Sequence, residues 1–399
     1  MVRGFALAFV LSFGPAVANS VARFAYALVL PAMRSELALN YSQAGWLNTA
    51  NALGYLAGAV LTRLLVQQLG NRLLFSAGMF VTAIGVLATG LTTDVNAIAF
   101  WRALAGLGGA AVFICGGALS GNIFPDRASL GTTTIAVYFA GGGIGLVIGG
   151  VMVPMLLEQG GNSAWPTAWI WMGIISLLMA AATVWAAYQI VEPGSAAGST
   201  KTSIRPFIPE LIGYLMFGLG YIGYMTFVVA WMRESGAPVA MVVPVWIALG
   251  LTTIMAPALW RIPLAQWSGG RPMALIMSVL ALGALLPLLG SGYGVMITSA
   301  ALFGAAMFSV PSSISSLIKR SLPKPAWGSV MATFTVVFAL GQTIGPVAAG
   351  WLADQFGSLR PGLTGSVAAL VFGALVALLQ SDTTTDRSNR LGRGVCPGP

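Results

Sequence analysis

The chain has 399 residues, of which 57% are hydrophobic and only 7% charged, and its mean hydropathy is +0.86. Soluble domains carry about 25% charged residues, so this composition excludes a water-soluble fold. The net charge of +9 at pH 7 does not indicate nucleic-acid binding, because the basic residues are scattered between apolar runs. With two cysteines and no histidine, we expect neither a disulfide framework nor a metal or other cofactor.

Twelve apolar runs each approach the roughly 20 residues that a helix needs to cross a bilayer. They lack the alternation of β-barrel strands, so we predict an all-α integral membrane protein. The first six predicted helices cover 5–33, 43–65, 73–91, 97–120, 129–156 and 167–190. The second six cover 208–232, 239–260, 272–290, 293–317, 327–353 and 362–380.

The distribution of Lys and Arg orients these helices. Fourteen of the 19 lie on the side that carries both termini, three lie opposite, and Arg23 and Arg102 fall within helices. By the positive-inside rule both termini are cytoplasmic. We therefore predict an N-terminal six-helix bundle at 1–191, a flexible cytoplasmic linker at 192–206, a C-terminal six-helix bundle at 207–381 and a disordered cytoplasmic tail at 382–399. One chain supplies both bundles, so we expect a monomer.

An internal repeat supports the division into two bundles. At an offset of 199, Met33-Arg34 aligns with Met232-Arg233, and Gln67, Gly70 and Arg72 align with Gln266, Gly269 and Arg271. At an offset of 200, the glycines at 141, 145 and 150 align with those at 341, 345 and 350. The constant order and spacing predict a parallel duplication of six helices, as found in transporters.

These residues resemble motifs of the major facilitator superfamily over residues 5 to 380. Leu69-Gly70-Asn71-Arg72 is similar to the cytoplasmic loop motif of that family, Arg102-x-x-x-Gly106 to its fourth-helix motif, and 141–150 to its glycine-rich fifth-helix motif. The resemblance implies that Gln67, Gly70, Arg72, Arg102, Gln266, Gly269 and Arg271 act in gating or coupling. Two departures stand out: Gln67 replaces the usual Asp and gives no ionic contact, and Leu146 replaces the usual Pro, so antiport does not follow from that motif.

A narrower resemblance is to the bacterial YbfB/YjiJ branch of the superfamily. It rests on Arg23-Phe24-Ala25-Tyr26 with Leu30-Pro31-Ala32-Met33, on 41–46 (Tyr-Ser-Gln-Ala-Gly-Trp), and on 51–55 (Asn-Ala-Leu-Gly-Tyr). This resemblance implies a multi-pass protein of the bacterial inner membrane and says little about the substrate.

Arg23 is the leading candidate for substrate binding, because a charge inside a membrane helix is costly and marks function by default. Asn19, Ser20 and Tyr26 lie on its helix face at spacings of three or four residues. Its guanidinium is suited to binding a carboxylate or phosphate bidentately. The alternative is that Arg23 snorkels outward or bonds helix carbonyls.

Further polar residues complete the predicted binding site. Asn48, Asn51 and Tyr55 form one stripe on the second helix, facing Arg23 or else bonding neighbouring helices. Tyr138, Tyr221, Tyr224 and Gln342 lie at similar depth and are either substrate ligands or helix anchors. Arg102 has a structural alternative to its role in gating or coupling, namely an ion pair with Asp94.

None of the ten acidic residues is predicted to lie at the membrane midplane. Proton-driven efflux of cations is therefore disfavoured, although a proton stays open as coupling ion because the substrate can carry it. We predict a secondary transporter of a small organic anion that works by alternating access. The alternatives are a polyspecific efflux pump for neutral or hydrophobic compounds, a membrane-embedded enzyme, which the missing His and midplane acids disfavour, and a non-transporting sensor.

Overall fold

The computed structural model describes residues 1–192 and 203–381, and every regular element within these ranges is helical. Eleven of the described helical stretches are long and apolar enough to cross a membrane. One of them, Tyr41–Thr89, breaks at Gly70 (φ 76°, ψ 164°), a backbone conformation that glycine adopts without strain. It therefore supplies two spans, and the prediction of twelve is confirmed.

The spans lie within a few residues of their predicted bounds. In chain order they are α1 (Val2–Glu36), α2 and α3 (41–69 and 71–89 of Tyr41–Thr89), α4 (Val95–Gly121), α5 (Ala128–Gly160), α6 (Trp165–Ala187), α7 (Ile208–Glu234), α8 (Val239–Leu259), α9 (Arg271–Leu289), α10 (Tyr293–Ser321), α11 (Lys324–Phe356) and α12 (Arg360–Ala377). Most of the predicted linker, and all of the predicted tail at 382–399, lie outside the described residues. We call the side where α1 begins and α12 ends the near side, and the opposite side the far side.

Matched glycine contacts show the duplication in three dimensions. Gly141 and Gly145 of α5 pack on the backbone carbonyls of Ser12 and Ala16 in α1. Their counterparts in α11, at 341 and 345, pack on the carbonyls of residues 215 and 219 in α7. A side chain at any of these glycines would meet backbone, so small residues let the helices approach closely. Each half therefore places its first helix against its fifth in the same way.

Two spans depart from regular α-helix at mid-depth. In α1, the segment Ala16–Phe24 is π-helical, with the amide of Ala25 bonded to the carbonyl of Ser20 at 2.7 Å. In α10, the helix breaks at Phe308 between Tyr293–Met307 and Ser309–Ser321. Pro311 has no N–H to offer the carbonyl of Met307, which accounts for the break. Irregular backbone of this kind often marks functional sites in membrane helices.

The two halves meet along their far-side portions. The first turns of α2 pack on α11, where Gly45 lies against the carbonyl of Pro346. The α5 and α8 helices cross at Gly143 and Gly250, and Gly150 packs on Trp246. Within the described residues, the near-side ends of α4 and α5 have no comparable packing on α10 or α11. The structure is thus closed on the far side.

Candidate functional site

A cavity of about 90 Å³ lies between the two halves at mid-depth. It is several times larger than the space that a single water molecule needs. Its lining residues come from α1, α2, α4, α7, α10 and α11: Asn19, Arg23, Phe24, Tyr55, Phe113, Tyr214, Phe217, Tyr221, Met307, Phe308, Pro311, Thr335, Phe338 and Gln342. Two larger depressions, of about 440 and 340 Å³, lie at the helix ends rather than at mid-depth, so we place the candidate site in the smaller central cavity.

Arg23 is the charged residue of this lining and is only 5% exposed. Its Nη2 donates a 2.6 Å hydrogen bond to Oε1 of Gln342, and its guanidinium lies 5.6 Å from the ring centroid of Tyr55. The buried Nε has no hydrogen-bond partner. A buried donor left unsatisfied is costly, so the guanidinium retains capacity to bind an acceptor that enters the cavity.

Gln342 connects Arg23 to the other half of the protein. Its Nε2 donates to the hydroxyl of Tyr221 while its Oε1 accepts from Arg23. A charge-assisted hydrogen bond is therefore made between α1 and α11 without an ionic partner. The candidates Arg23, Tyr55, Tyr221 and Gln342 thus come together in one site.

The remaining wall of the cavity is a layer of parallel aromatic rings. Phe338 of α11 stacks on Tyr214, Phe217 and Tyr221 of α7 with centroid distances of 4.8, 5.3 and 5.7 Å and interplanar angles of 19°, 9° and 16°. Phe24 meets Tyr221 edge to face at 6.4 Å. We call Tyr214, Phe217, Tyr221 and Phe338 the aromatic layer. Of its four members, only Tyr221 was a sequence-based candidate; the spacing 214, 217, 221 on one helix face was the available signal.

Arg102 lies outside the cavity lining and is 1% exposed. Its Nε donates to the carbonyl of Leu47 at 2.8 Å and its Nη2 to Oδ1 of Asn48 at 3.0 Å. The rings of Tyr26 and Trp169 lie 4.1 and 5.3 Å from its guanidinium carbon. The alternative pairing with Asp94 is not made, because that carboxylate caps α4 by accepting from the amide of residue 97.

The polar stripe on α2 divides between two environments. Tyr55 reaches the cavity, whereas the Nδ2 of Asn51 donates to the backbone carbonyl of Arg102. Asn48 donates to the hydroxyl of Thr226 in α7 at 2.6 Å while accepting from Arg102. The two asparagines therefore bond neighbouring helices in this structure.

Three tyrosine candidates are also placed away from the cavity. The hydroxyl of Tyr26 donates to the carbonyl of Ala44, and that of Tyr138 to the carbonyl of Val112, both at 2.7 Å. Tyr224 shares a 2.7 Å hydrogen bond with Ser299 inside the C-terminal half. Ser20, on the same helix as Arg23, donates to the carbonyl of residue 142.

The loop residues predicted to act in gating lie at the near side. Gly70 and Gly269 both have positive φ, 76° and 62°, in equivalent loops. The amide of Arg72 donates to the carboxylate of Glu192 at 3.2 Å, and its Nη2 donates to the carbonyl of Ile190 at 2.6 Å, both beyond α6. The side chains of Gln67, Gln266 and Arg271 are exposed. Arg72 therefore contacts its own half in this structure.

A cluster of charged and polar residues joins the halves at the far side. The carboxylate of Asp354, near the end of α11, accepts 2.8 Å hydrogen bonds from the amides of Tyr41 and Ser42 and a 2.5 Å bond from the Ser42 hydroxyl. It therefore caps the N-terminus of α2 from the opposite half. The hydroxyl of Tyr41 donates to Glu234 of α7, and Arg34 lies 3.7 Å from the Tyr41 ring centroid. We call these five residues the far-side latch.

Among residues 1–192 and 203–381, no three His, Cys, Asp or Glu residues are grouped so that they would hold a metal ion. The buried carboxylate of this range is Glu210, 1% exposed, on the first turn of α7. It lies on the same helix face as Tyr214, Phe217 and Tyr221, at the near-side end of that face.

Comparison with known proteins agrees with this architecture. The chain aligns with a bacterial homologue of the human lysosomal transporter Spinster, solved in an inward-facing, unoccupied conformation, with a TM-score of 0.69 at 14% identity, covering 99% of both chains. A mutant of the nucleoside transporter NupG aligns with a TM-score of 0.72 at 13% identity, covering 94% of this chain and 98% of the other. These likenesses identify the fold as that of major facilitator superfamily transporters.

The sequence places the chain more narrowly. Residues 15–378 match the family described as "Uncharacterised MFS-type transporter YbfB", and the chain belongs to that family. It is also 25% identical over 386 residues to the 3-(3-hydroxy-phenyl)propionate transporter of Escherichia coli (strain K12), covering 89% of this chain and 87% of that protein. Both the superfamily and the branch predicted from the sequence are confirmed.

Proposed function

We propose that this protein carries small organic anions, specifically carboxylates that bear an aromatic ring, by alternating access at the Arg23 cavity. The observation that carries the proposal is the buried guanidinium of Arg23, which has neutral partners and an unused Nε. A carboxylate would accept two parallel hydrogen bonds from this group and supply the missing opposite charge.

The aromatic layer supports the second part of the proposal. Its rings are nearly parallel and stacked on one another at the wall of the cavity that holds Arg23, and aromatic pairs in such arrangements gain about 0.5–1.5 kcal/mol beyond the burial of area. A planar ring with a short carboxylate arm would place its ring against Phe338 and its charge on Arg23. The name of the Escherichia coli relative, a 3-(3-hydroxy-phenyl)propionate transporter, describes a substrate of this shape.

The far-side closure described above supports the alternating-access part of the proposal. The two bundles, 1–191 and 207–381, would rock about the cavity with 192–206 as the connection between them. The excess of basic residues on the near side supports a cytoplasmic near side, and the proposed carrier is a monomer of the bacterial inner membrane that faces inward in this structure.

Binding to purified protein in detergent tests this function. We would measure, by calorimetry, the dissociation constants of 3-(3-hydroxyphenyl)propionate, of its neutral amide and of hexanoate. We expect the aromatic carboxylate to bind most tightly, and Arg23→Gln to abolish its binding. Equal affinity for the acid and its amide, unaffected by Arg23→Gln, would contradict anion recognition.

A polyspecific efflux pump for hydrophobic compounds is the second candidate, favoured by the largely apolar and aromatic lining of the cavity. It predicts that lipophilic cations such as tetraphenylphosphonium and neutral dyes bind as well as carboxylates do. The same calorimetric series, extended to these compounds in wild type and Arg23→Gln, separates the two functions.

A further inference from the structure

Two buried positive charges in the N-terminal half affect how the carrier changes from one open side to the other. Arg23 and Arg102 are both buried, at 5% and 1% exposure. Every hydrogen-bond acceptor that they contact is neutral: Oε1 of Gln342, the carbonyl of Leu47 and Oδ1 of Asn48. Within the described part of the chain, no carboxylate contacts either guanidinium. Two positive charges are therefore held in the protein interior without an opposite charge.

The buried acid Glu210 does not compensate Arg23. It lies eleven residues before Tyr221 on α7, which corresponds to about 16 Å along the helix axis. Because Coulomb energy falls with distance, a charge at 16 Å acts about four times more weakly than one in contact at about 4 Å. The carboxylates of the far-side latch lie near the far-side ends of α7 and α11 and accept hydrogen bonds from Tyr41 and Ser42.

Arginine cannot escape this cost by losing its proton, because its pKa is far above the physiological range. A carrier that relied on Lys or on a carboxylate could reorient neutral after a proton transfer. Here the charge on Arg23 is cancelled only when an anion occupies the cavity. When the carrier is closed on both sides, water is removed from the site. The free-energy cost of this dehydration is large for an uncompensated ion and much smaller for a paired one.

We propose that this protein is an anion exchanger: it reorients readily with an anion bound to Arg23 and slowly when empty. Uptake of one anion is then linked to release of another from the opposite side. The inference rests on the anion transport proposed above and adds the coupling mode, which the sequence motif of α5 left undetermined.

Counterflow in proteoliposomes tests the proposal. Vesicles containing wild-type protein, with equal pH on both sides and the membrane potential clamped by potassium and valinomycin, are loaded with unlabelled 3-(3-hydroxyphenyl)propionate or with sulfate alone. The initial uptake of labelled substrate is measured, and uptake by protein-free vesicles is subtracted. We expect uptake to be at least tenfold faster with internal substrate. Saturable, Arg23-dependent uptake at the same rate in both vesicle types would overturn exchange while leaving anion transport intact. Absence of saturable uptake in both would overturn the proposed function, and exchange with it.

Substitution of Gln342 gives an independent test. Gln342→Glu places a carboxylate on Arg23 and compensates it in the empty carrier, so stimulation by internal substrate should fall to less than twofold. Gln342→Leu removes the hydrogen bond without adding charge and should keep the stimulation. Glu210→Gln should leave the stimulation at the wild-type value, and a marked increase in that variant would identify Glu210 as a group that compensates Arg23 in the empty wild-type carrier and would overturn the argument. If Gln342→Glu does not fold, the wild-type comparison and Glu210→Gln still decide the matter.

Discussion

Nη2 of Arg23 on α1 lies 2.6 Å from Oε1 of Gln342 on α11, so the two halves of the protein are joined at mid-depth by a charged donor and a neutral acceptor. An amide is a weaker partner for a guanidinium than a carboxylate is. An entering carboxylate would therefore replace Gln342 on Arg23 at little cost. The inter-half contact and the proposed substrate contact therefore share the guanidinium of Arg23.

Replacement of Arg23 by Lys separates charge from geometry. Lysine keeps the positive charge but loses the planar fork that binds a carboxylate through two parallel bonds. One lost charge-assisted hydrogen bond is worth about 1.5–3 kcal/mol, so we expect Arg23→Lys to weaken binding of 3-(3-hydroxyphenyl)propionate by about 10- to 100-fold. Calorimetry on purified protein measures this change. Arg233→Lys, at an exposed far-side position, is the control, and an equal loss in both variants would contradict a specific role for Arg23.

Phe338 should determine preference for aromatic over aliphatic anions. Phe338→Leu keeps an apolar side chain but removes the ring on which the ring of the substrate would stack, a contact worth about 0.5–1.5 kcal/mol. We expect roughly 3- to 10-fold weaker binding of the aromatic acid and little change for hexanoate, measured by competition. Phe334, one turn earlier on α11 and absent from the lining, provides the matched control Phe334→Leu. Parallel losses for both anions would argue against ring recognition at Phe338.

Asp354 should stabilise the far-side-closed state. Asp354→Asn removes the negative charge that caps α2 from the other half, a change worth about 1 kcal/mol. We expect the population open on the far side to rise about fivefold. Spin labels at Ser35→Cys and Ser235→Cys, exposed sites at the far-side ends of α1 and α7, would report this as a longer distance in pulsed electron paramagnetic resonance, with Cys396→Ser removing the tail cysteine.

The control for this measurement is Glu36→Gln, which removes a carboxylate from an exposed far-side position without touching the latch. Its distance distribution should match that of the wild type. An unchanged distribution in Asp354→Asn would show that the cap does not contribute to closure.

Two glycines of α2 should respond differently to the same substitution. A Cβ at Gly45 would overlap the carbonyl of Pro346 in the other half, whereas a Cβ at Gly54 would overlap the carbonyl of Ala103 in the same half. Separation of the halves relieves the first clash but not the second. We therefore expect Gly45→Ala to lengthen the distance between labels at positions 35 and 235 with little loss of thermal stability.

Gly54→Ala should instead lower the unfolding temperature in detergent, since overpacking costs about 1–3 kcal/mol, and should leave the label distance unchanged. The same response in both variants would mean that the α2–α11 contact does not separate during the cycle.

The fold was predictable because the length and continuity of apolar runs are local properties that set the number of spans. Arg23, Tyr55, Tyr221 and Gln342 were identifiable for a related reason, namely that polar groups inside the membrane are rare. The aromatic layer was not identifiable from the sequence, because a phenylalanine that lines a cavity gives the same sequence pattern as one that faces lipid. The contact of Asn48 with Arg102 depends on how α2 packs on α4, which no local pattern reports. The role of Asp354 depends on the approach of two helices more than 300 residues apart in the chain.

The π-helical backbone of α1 sets the direction in which the side chain of Arg23 points. Nine residues, Ala16–Phe24, hold the guanidinium within a turn that contains one residue more than an α-helical turn. If this segment returned to ordinary i→i+4 bonding, Arg23, near its end, would rotate about the helix axis relative to the residues that precede the segment. The guanidinium would then change its position relative to Gln342. The hydrogen-bond register of these nine residues therefore helps to set whether the wall of the cavity is charged.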